Sequence, residues 1–450
     1  MWKYRSQTII SLFGLAVGFT CFALATFWMR YEMTFDVFHK DANRMYVVYR
    51  PALFAPTGID RKTPYALAAY LKEMLPEIED AIPLTPSNPN GTLIVNNETV
   101  PALTIQADTP ILRMFDVKIL EGNADFLIPG SNTIAITQEK ANLWFGTEQP
   151  IGKTVYFHLP NASTICAIIS DMSKRSNYAY DCIASFKVGD KGILFTTNTV
   201  IKLVAGTNVK AFEEKLSEIQ YGDRQQIKNM TIKPLTKLRY VDPDVEREVK
   251  FQHIVIFFIS GLLVIVCSLF NYLTLFMNRF RIRQKEFALR TVCGAQESSL
   301  FLMLLVEFML TLVLAVLLGL VFTQSLLEHF LVLSVIKTSI PAIYSELLIY
   351  TGSIIAASLL LFQLLLFIFR RRSLNLSIRM NKKTLFRKVS IIGQLFISIG
   401  LSFCTILILK QMYFLHHTTE LGFSFQNRGV VLLQTKGHGN ALTNHLKQIP

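Results

Sequence analysis

The chain has 450 residues, 51% of them hydrophobic, and a mean hydropathy of +0.37. A soluble globular chain of this length needs fewer apolar residues, so the composition predicts a membrane protein. The formal net charge of +13 borders apolar stretches and does not form a basic face on a soluble domain, which argues against a nucleic-acid-binding protein.

Five stretches each hold about the 20 apolar residues that a bilayer core requires. They are residues 8–29, 254–277, 300–327, 347–369 and 389–409. The first is too long for the apolar region of a secretory signal peptide and has no small-residue cleavage site, so we expect a retained anchor. The chain is therefore predicted to be an α-helical membrane protein with about five transmembrane helices.

Lysine and arginine residues flank these stretches unevenly. They precede the first, follow the second and fill the gap before the fifth, whereas the loop 329–346 has Lys337 as its only Lys or Arg. Positive charge favours cytoplasmic loops. We therefore expect a cytoplasmic N-terminus and an extracytoplasmic block over residues 31–252.

This block alternates between strand-like and helix-like patterns, which predicts a large α+β domain with a subdomain boundary near Gly130 or Asp171. Strands are expected at RMYVVYR, NTIAIT, KTVYF, STICAII and NTVIKLV, and a hairpin that turns at Asn96–Asn97 is expected in GTLIVNNETVPALTIQA. Helical spacing predicts helices over residues 65–75, 138–144 and 209–219.

The stretch FGTEQPIGKTVYF, residues 145–157, ends near the Gly-Lys-Thr that closes an ATP-binding P-loop. A P-loop has four residues between its two glycines, whereas Gly146 and Gly152 have five between them. A P-loop also runs from a strand into a helix, and the predicted order here is the reverse. We expect a tight turn, and we assign no nucleotide, cofactor or catalytic residue; the chain is not predicted to be an enzyme.

Histidine, cysteine and carboxylate residues show no metal-ligand spacing, and the pair His416–His417 is better explained as interfacial polar residues. Cys166 and Cys182 are the two cysteines of the predicted external block. Such a location permits a disulfide between them, but spacing alone does not show one.

The segment RFRIRQKEFALRTVCGA, residues 279–295, is predicted to be a short cytoplasmic helix closed by Gly294. Arg279, Arg283, Glu286 and Arg290 share one stripe of this helix, and Glu286 with Arg290 forms a favourable i,i+4 pair. Composition alone leaves two interpretations, an anchor at the lipid headgroups or a docking surface.

Glu307 lies inside the third apolar stretch. An unpaired carboxylate is costly there, so it is expected to face other helices or to accept a hydrogen bond. A structural and a functional role are both consistent with this position.

Residues 279–295 resemble the cytoplasmic coupling loop of the FtsX-like permeases of ABC transporters, which has the pattern R-x-K-E-x-x-x-R-x-x-x-G-A. The matching positions are Arg283, Lys285, Glu286, Arg290, Gly294 and Ala295, with a departure at Cys293. LFGLAVGF followed by YEMTFDVFHKDANRMYVVY is similar to the start of the MacB-type periplasmic core domain, and ITQEKANLWFGTEQPIGKTV to a recurrent family segment. The matching residues in the former are Tyr31, Glu32, Phe35, Asp36, Phe38, His39, Arg44 and Tyr46.

The resemblance implies a multi-pass permease subunit in the bacterial cytoplasmic (inner) membrane, partnered by a separate ABC ATPase. Arg283, Lys285, Glu286 and Arg290 would contact the ATPase, with Gly294 setting the turn. The implied mechanism is mechanotransmission, in which ATPase closure shifts the helices and reorients the external domain. Two functions stay open: export or extrusion of peptides, lipoproteins or small toxic molecules, and non-transporting regulation of an envelope enzyme or sensor. A periplasmic adaptor or an envelope enzyme is a further implied partner.

The resemblance also divides the chain into family units. The expected divisions are 1–30 for the N-terminus and first transmembrane helix, 31–252 for the core domain, 253–372 for the FtsX-like permease domain with its coupling helix at 279–294, 373–388 for a basic linker, 389–410 for the fifth transmembrane helix and 411–450 for the start of a second external region. Residues 385–412 and 421–433 resemble the opening of a second family unit. We therefore expect a partial chain of a longer two-unit permease, the alternative being a homodimer.

Overall fold

The computed structural model shows two compact units, Met1–Asn381 and Lys382–Pro450. It describes residues 5–52, 58–87, 91–158, 161–186, 197–222, 227–241, 251–283, 286, 289–290, 292–293, 296–334, 336, 338, 340–373 and 385–417. The helices are α1 (Arg5–Met33), α2 (Leu67–Met74), α3 (Ile111–Met114), α4 (Gln138–Phe145), α5 (Val209–Glu218), α6 (Leu238–Val241), α7 (Phe251–Ile282), α8 (Glu297–Ser334), α9 (Ile340–Ser373) and α10 (Leu385–His417).

Five helices of the described part are long and apolar enough to cross a membrane, which confirms the predicted number. Their candidate spans are Thr8–Met33, Phe251–Arg279, Leu302–Ser334, Ile340–Leu364 and Ile391–Phe414. The fourth span starts at Ile340, earlier than the expected residue 347, because α9 includes Pro341, Ser345 and Glu346 before its most apolar part. A proline fits the first turn of a helix, where its missing N–H would have had no partner.

Helix α1 packs against α7, α8 and α9. Small residues bring the backbones close: a Cβ added at Gly261 of α7 would lie 2.9 Å from the carbonyl oxygen of Cys21. The Thr20 hydroxyl donates to the carbonyl oxygen of Gly319 on α8 at 2.9 Å. Phe308 of α8 stacks on Phe362 of α9 with ring centroids 4.1 Å apart. These contacts make α1 the central helix of the first unit.

The strands of the external domain form two sheets. They are β1 (Met45–Pro51), β2 (Ile59–Asp60), β3 (Lys62–Thr63), β4 (Ile78–Leu84), β5 (Thr92–Val95), β6 (Glu98–Pro101), β7 (Thr104–Gln106), β8 (Ile119–Gly122), β9 (Thr133–Thr137), β10 (Thr154–His158), β11 (Asn161–Ile169), β12 (Cys182–Ala184), β13 (Thr197–Leu203) and β14 (Thr231–Pro234). The first sheet has the order β14-β1-β13-β3, with β2 on β1 and β4 on β13, and the second has the order β6-β5-β10-β11-β9-β12-β7, with β8 on β11. The large α+β domain predicted from the sequence is thereby confirmed.

The second sheet is inserted into the first. Strand β1 pairs with β13, for example Val47 with Val200, although about 150 residues separate them. All strands of the second sheet lie between β4 and β13 in the chain. A cut near Gly130 or Asp171 would divide the second sheet, so the subdomain boundary predicted there is wrong.

Each sheet buries its own helices. On the first sheet, Leu71 of α2 and Phe212 of α5 belong to the same buried apolar cluster as Ile201 of β13. On the second sheet, α4 packs with Phe145 against Ile136 and Ile165. These buried apolar contacts follow the helical and alternating patterns of the sequence. The predicted helices at 65–75, 138–144 and 209–219 are confirmed within one or two residues.

Two turn predictions are also confirmed. Asn96 and Asn97 have φ of 49° and 63°, which is typical of the two-residue hairpin turn between β5 and β6. Gly146 and Gly152 have φ of 60° and 89°, and the Gly146 amide donates to the Asn142 carbonyl as α4 ends. The Gly-Lys-Thr residues thus follow a helix and lead into β10, and they form no phosphate loop.

Cys166 and Cys182 are free. They lie on β11 and β12, and β9 separates these two strands in the sheet. Two strand spacings amount to about 9–10 Å. Disulfides need Cα atoms within about 7 Å, so this arrangement allows no bond between the two cysteines.

Helix α10 belongs to the second unit and carries the fifth span. Its side chains from residue 391 to 414 are exposed or half-buried. Residues 418–450, which include most of the expected second external region, lie outside the described residues.

Candidate functional site

The candidate site lies where α7 leaves its span. Helix α7 continues without a break to Ile282, so residues 279–282 extend the second span and do not start a separate helix as predicted. The helix can continue in this way because residues 262–282 contain no Gly or Pro. Beyond it, Glu286, Arg290 and Val292 are helical, and α8 begins at Glu297. Lys285 and Gly294, both predicted site residues, lie outside the described residues.

Three of the predicted residues form one ion cluster. The Arg283 guanidinium lies 3.3 Å from a Glu286 carboxylate oxygen, and Arg290 donates to the other Glu286 oxygen at 2.6 Å. The two contacts have i,i+3 and i,i+4 spacing, as expected of residues on one helical stripe. Glu286 thus bridges two arginines.

Arg283 also reaches the third span. Its Nη1 atom lies 3.2 Å from the carboxylate of Glu307 on α8, whose side chain is 26% exposed. Glu307 is five residues inside the span that starts at Leu302, a depth of about 8 Å at 1.5 Å per residue. A long arginine side chain can cover that distance from the membrane surface. The structure therefore places the carboxylate inside the third span in a salt bridge with the segment that follows α7.

Two further contacts fix the segment to the helix bundle. Arg279 Nη2 donates to the Thr8 hydroxyl at the start of the first span, at 2.8 Å. Arg290 Nη1 lies 3.5 Å from the Met303 sulfur on α8. Neither Thr8 nor Met303 was identified from the sequence, because nothing in a local pattern indicates a contact with a residue so far along the chain. The segment is thus connected to α1 as well as to α8.

The outer face of the segment is apolar and accessible. Leu289 is 67% and Val292 86% exposed, beside Glu286 and Arg290, whose side chains are 44% and 45% exposed. An apolar centre with a polar rim is the usual composition of a protein-binding patch. Sequence reasoning missed these two residues, since it considered only the charged stripe. Apolar residues in a loop that is predicted to be cytoplasmic are the signal that could have identified them.

Within the described residues, no group of three or more His, Cys, Asp or Glu side chains could hold a metal ion. Arg283 and Arg290 form ion pairs with Glu286, and Arg283 also forms one with Glu307. What the arrangement can do is bind a surface on its outer side and pass displacement to α8 and α1 on its inner side.

Comparison with known families gives two matches in series. Residues 8–219 match the MacB-like periplasmic core domain, and residues 257–378 match the FtsX-like permease C-terminal domain. Together these matches cover about three quarters of the chain. No curated protein matches it.

Solved structures similar to this chain include single domains or regions of permease and transporter proteins. A domain of a protein described as a permease from Porphyromonas gingivalis has 18% identity and a TM-score of 0.37, covering 44% of this chain and 92% of that one. The periplasmic region of MacB from Actinobacillus actinomycetemcomitans has 14% identity and a TM-score of 0.34, covering 46% and 95%. The extracellular domain of the noncanonic ABC-type transporter YknZ from Gram-positive bacteria has 12% identity and a TM-score of 0.32, covering 42% and 99%.

Proposed function

Since this chain belongs to the family of FtsX/MacB-type ABC transporter permeases, we propose that it couples ATP hydrolysis by a separate ATPase chain to conformational change of its external domain. Family membership makes it a multi-pass membrane component with a large extracellular domain. Members of the family work with ABC ATPases. The finer proposal is that this chain transmits force and that residues 283–294 receive it.

The observation that carries the proposal is the position of Arg283. On one side it belongs to the exposed segment with Glu286, and on the other it holds Glu307 inside α8. A protein that moves the segment would therefore pull on a transmembrane helix through a charged contact. Arg279 and Thr8 provide a second connection, to α1. Helices of this length behave as semi-rigid rods, so a shift at the cytoplasmic end becomes a tilt at the other end.

We propose that the outer face formed by Leu289, Val292 and Arg290 docks the ATPase. Apolar residues would supply the buried centre of the interface, and Arg290 with Glu286 its charged rim. Lys285 and Gly294 are part of the same proposal through the family resemblance. The exposed apolar face supports binding to a protein partner. The alternative, that the segment is an anchor at the lipid headgroups, is what the experiment must exclude.

We propose the bacterial cytoplasmic membrane as the location and export or extrusion as the purpose, with peptides, lipoproteins or small toxic molecules as cargo. A second permease unit or a second copy of this chain completes the proposed assembly. The alternative function is control of an envelope enzyme or a sensor, which would use the same movement of the helices. Binding of a periplasmic adaptor would favour export over control.

The test is affinity purification of the full chain from its native membrane in mild detergent, followed by assay of the eluate for ATP hydrolysis. We expect an ATPase to co-purify with the unchanged chain and to be lost when Arg283→Glu and Arg290→Glu are combined. Lys174→Glu, which reverses an exposed charge of the external domain, is the matched control and should retain the ATPase.

The single variants separate docking from transmission. Arg290→Glu should reduce recovery of the ATPase, whereas Glu307→Gln should retain the bound ATPase and weaken only its effect on the external domain. If the unchanged chain brings down no ATPase, the proposed function is wrong. If the double variant fails to insert into the membrane, the segment is a headgroup anchor.

A further inference from the structure

We infer that two arginine–glutamate pairs, Arg239 with Glu32 and Arg175 with Glu346, form a rigid joint that transfers the motion of α1 and α9 to the external domain. We call these four residues the extracytoplasmic joint. The inference rests on the proposed function, and it names the positioning residues at the far end of the transmission path.

The first pair clamps the end of the external domain to α1. Arg239 lies in α6, the last described helix before α7, and its Nε and Nη2 atoms donate to the two oxygens of Glu32 at 2.5 and 3.2 Å. The Glu32 side chain, in the last turn of α1, is only 4% exposed. The guanidinium carbon lies 3.8 Å from the Phe35 ring centroid. A two-point charged contact over an aromatic ring resists both sliding and rotation.

The second pair joins a loop of the inserted sheet to a different helix. Arg175 lies between β11 and β12, and its Nη2 atom is 3.0 Å from a carboxylate oxygen of Glu346 on α9. Its guanidinium also lies 4.9 Å from the Tyr31 ring centroid of α1. Tyr350, one turn further along α9, donates its hydroxyl to Glu346 at 2.9 Å. One arginine of the external domain therefore contacts two transmembrane helices.

Asp36 holds this loop against the exit of α1. Its amide donates to the Arg175 carbonyl at 2.9 Å, and its buried carboxylate accepts from the Asn177 amide at 3.1 Å and from the Ser176 hydroxyl. Asp36 has a φ of 57°, a conformation that aspartate tolerates when its side chain bonds locally. Such a bonded turn leaves little freedom between the helix and the loop.

These contacts fix α1 at both of its ends. At the cytoplasmic side Arg279 binds Thr8, and at the external side Glu32 and Asp36 bind elements of the external domain. The two arginines of the joint come from different parts of that domain, one from the inserted sheet and one from its end. A tilt of α1 relative to α9 would therefore move both parts, whereas a flexible linker would absorb it.

The test uses the full chain in lipid nanodiscs, with its co-purified ATPase, and measures hydrogen exchange of backbone amides. Arg175→Gln and Glu346→Gln each break the second pair with little change of volume. The charge exchange of Arg175→Glu with Glu346→Arg re-forms it in reverse. Lys174→Gln is the control, because Lys174 pairs with Glu139 within the external domain itself.

Without nucleotide, we expect the amides of residues 34–36 and 175–177 to exchange about tenfold faster in Arg175→Gln and Glu346→Gln, because a charge-assisted contact that holds them is lost. We expect Lys174→Gln to match the unchanged chain and the charge exchange to restore slow exchange. If exchange is unaffected in both single variants, the Arg175–Glu346 pair does not hold the joint and the inference is wrong, whatever the ATPase does.

With ATP and vanadate, the unchanged chain and Lys174→Gln should show a nucleotide-dependent change of exchange in the inserted sheet, at residues 133–145. Arg175→Gln and Glu346→Gln should lose most of that change, although both variants hydrolyse ATP at the rate of the unchanged chain when vanadate is left out. A full response in these variants would overturn the joint and leave the proposed function standing. Absence of any ATPase from the unchanged chain would instead overturn the proposed function.

Discussion

Replacing Arg239 by methionine should destabilise the first unit through the carboxylate that it leaves behind. The Glu32 side chain is 4% exposed, and Arg239 forms an ion pair with it. Arg239→Met therefore leaves a buried carboxylate without that partner. Breaking such a pair costs about 3–5 kcal/mol when both partners are buried. Arg239 is 25% exposed, so water can reach part of the site and we expect about 2–3 kcal/mol.

Arg113→Met is the matched control for this substitution. Arg113 also binds a carboxylate with low exposure, Asp80 at 7%, but Lys72 contacts that same carboxylate at 2.7 Å and remains after the change. The control should therefore cost less than about 1 kcal/mol. Combining Arg239→Met with Glu32→Gln removes both charges, and it should recover most of the stability lost in Arg239→Met.

The assay is the free energy of unfolding of the full chain in detergent, measured by pulse proteolysis over a denaturant series. Fluorescence of Trp28, which is buried four residues before Glu32, provides a second probe. Equal losses in Arg239→Met and Arg113→Met would refute the reasoning. So would a double variant no more stable than Arg239→Met alone, because the cost would then come from lost packing and not from an unpaired charge.

Three further predictions concern other parts of the chain. A hydrogen bond from Lys202 lowers the pKa of Asp41 from 3.8 to about 2, so the stability that this pair adds is present above about pH 4 and is lost as the pH falls towards 2. The free energy of unfolding should therefore decline less steeply from about pH 5 to 2 in Lys202→Met than in the unchanged chain. An equally steep decline would contradict the pairing. Cys293 is exposed in the segment that we propose to be cytoplasmic. In a variant that retains only this cysteine, a membrane-impermeant maleimide should label inside-out vesicles, and labelling of intact cells would contradict the proposed orientation. Gly261→Ala should lower the stability of the helix bundle by about 1–3 kcal/mol, because the added Cβ would meet a neighbouring backbone. The control Gly352→Ala should be neutral, because a Cβ at that position meets nothing within 4 Å. Equal melting temperatures of the two variants in detergent would contradict the close packing.

The parts of the fold predicted from the sequence are those that local patterns determine. Apolar length predicts the five spans, and the Asn96–Asn97 turn predicts its hairpin, because each signal lies within a few tens of residues. The insertion of the second sheet into the first was not predicted, since the pairing of β1 with β13 is a contact between distant segments that alternation cannot reveal.

The same limit applies to the candidate site. The stripe of Arg283, Glu286 and Arg290 follows from helical spacing, and Glu307 is conspicuous as a carboxylate in an apolar stretch. The contact between Arg283 and Glu307, across 24 residues, depends on where α7 ends and α8 begins. The 171-residue separation of Arg175 from Glu346 left no sequence signal for that pair at all.

The most direct test of the proposed function is site-specific photocrosslinking from Val292, which is more exposed than Leu289 on the outer face of residues 283–294. A benzophenone amino acid replaces Val292 in the full chain, and the cells are irradiated before lysis. We expect a crosslink to an ABC ATPase that decreases when Arg290→Glu is added. Crosslinks confined to lipid would contradict it, because they would make the segment a headgroup anchor and leave the external domain without a source of energy.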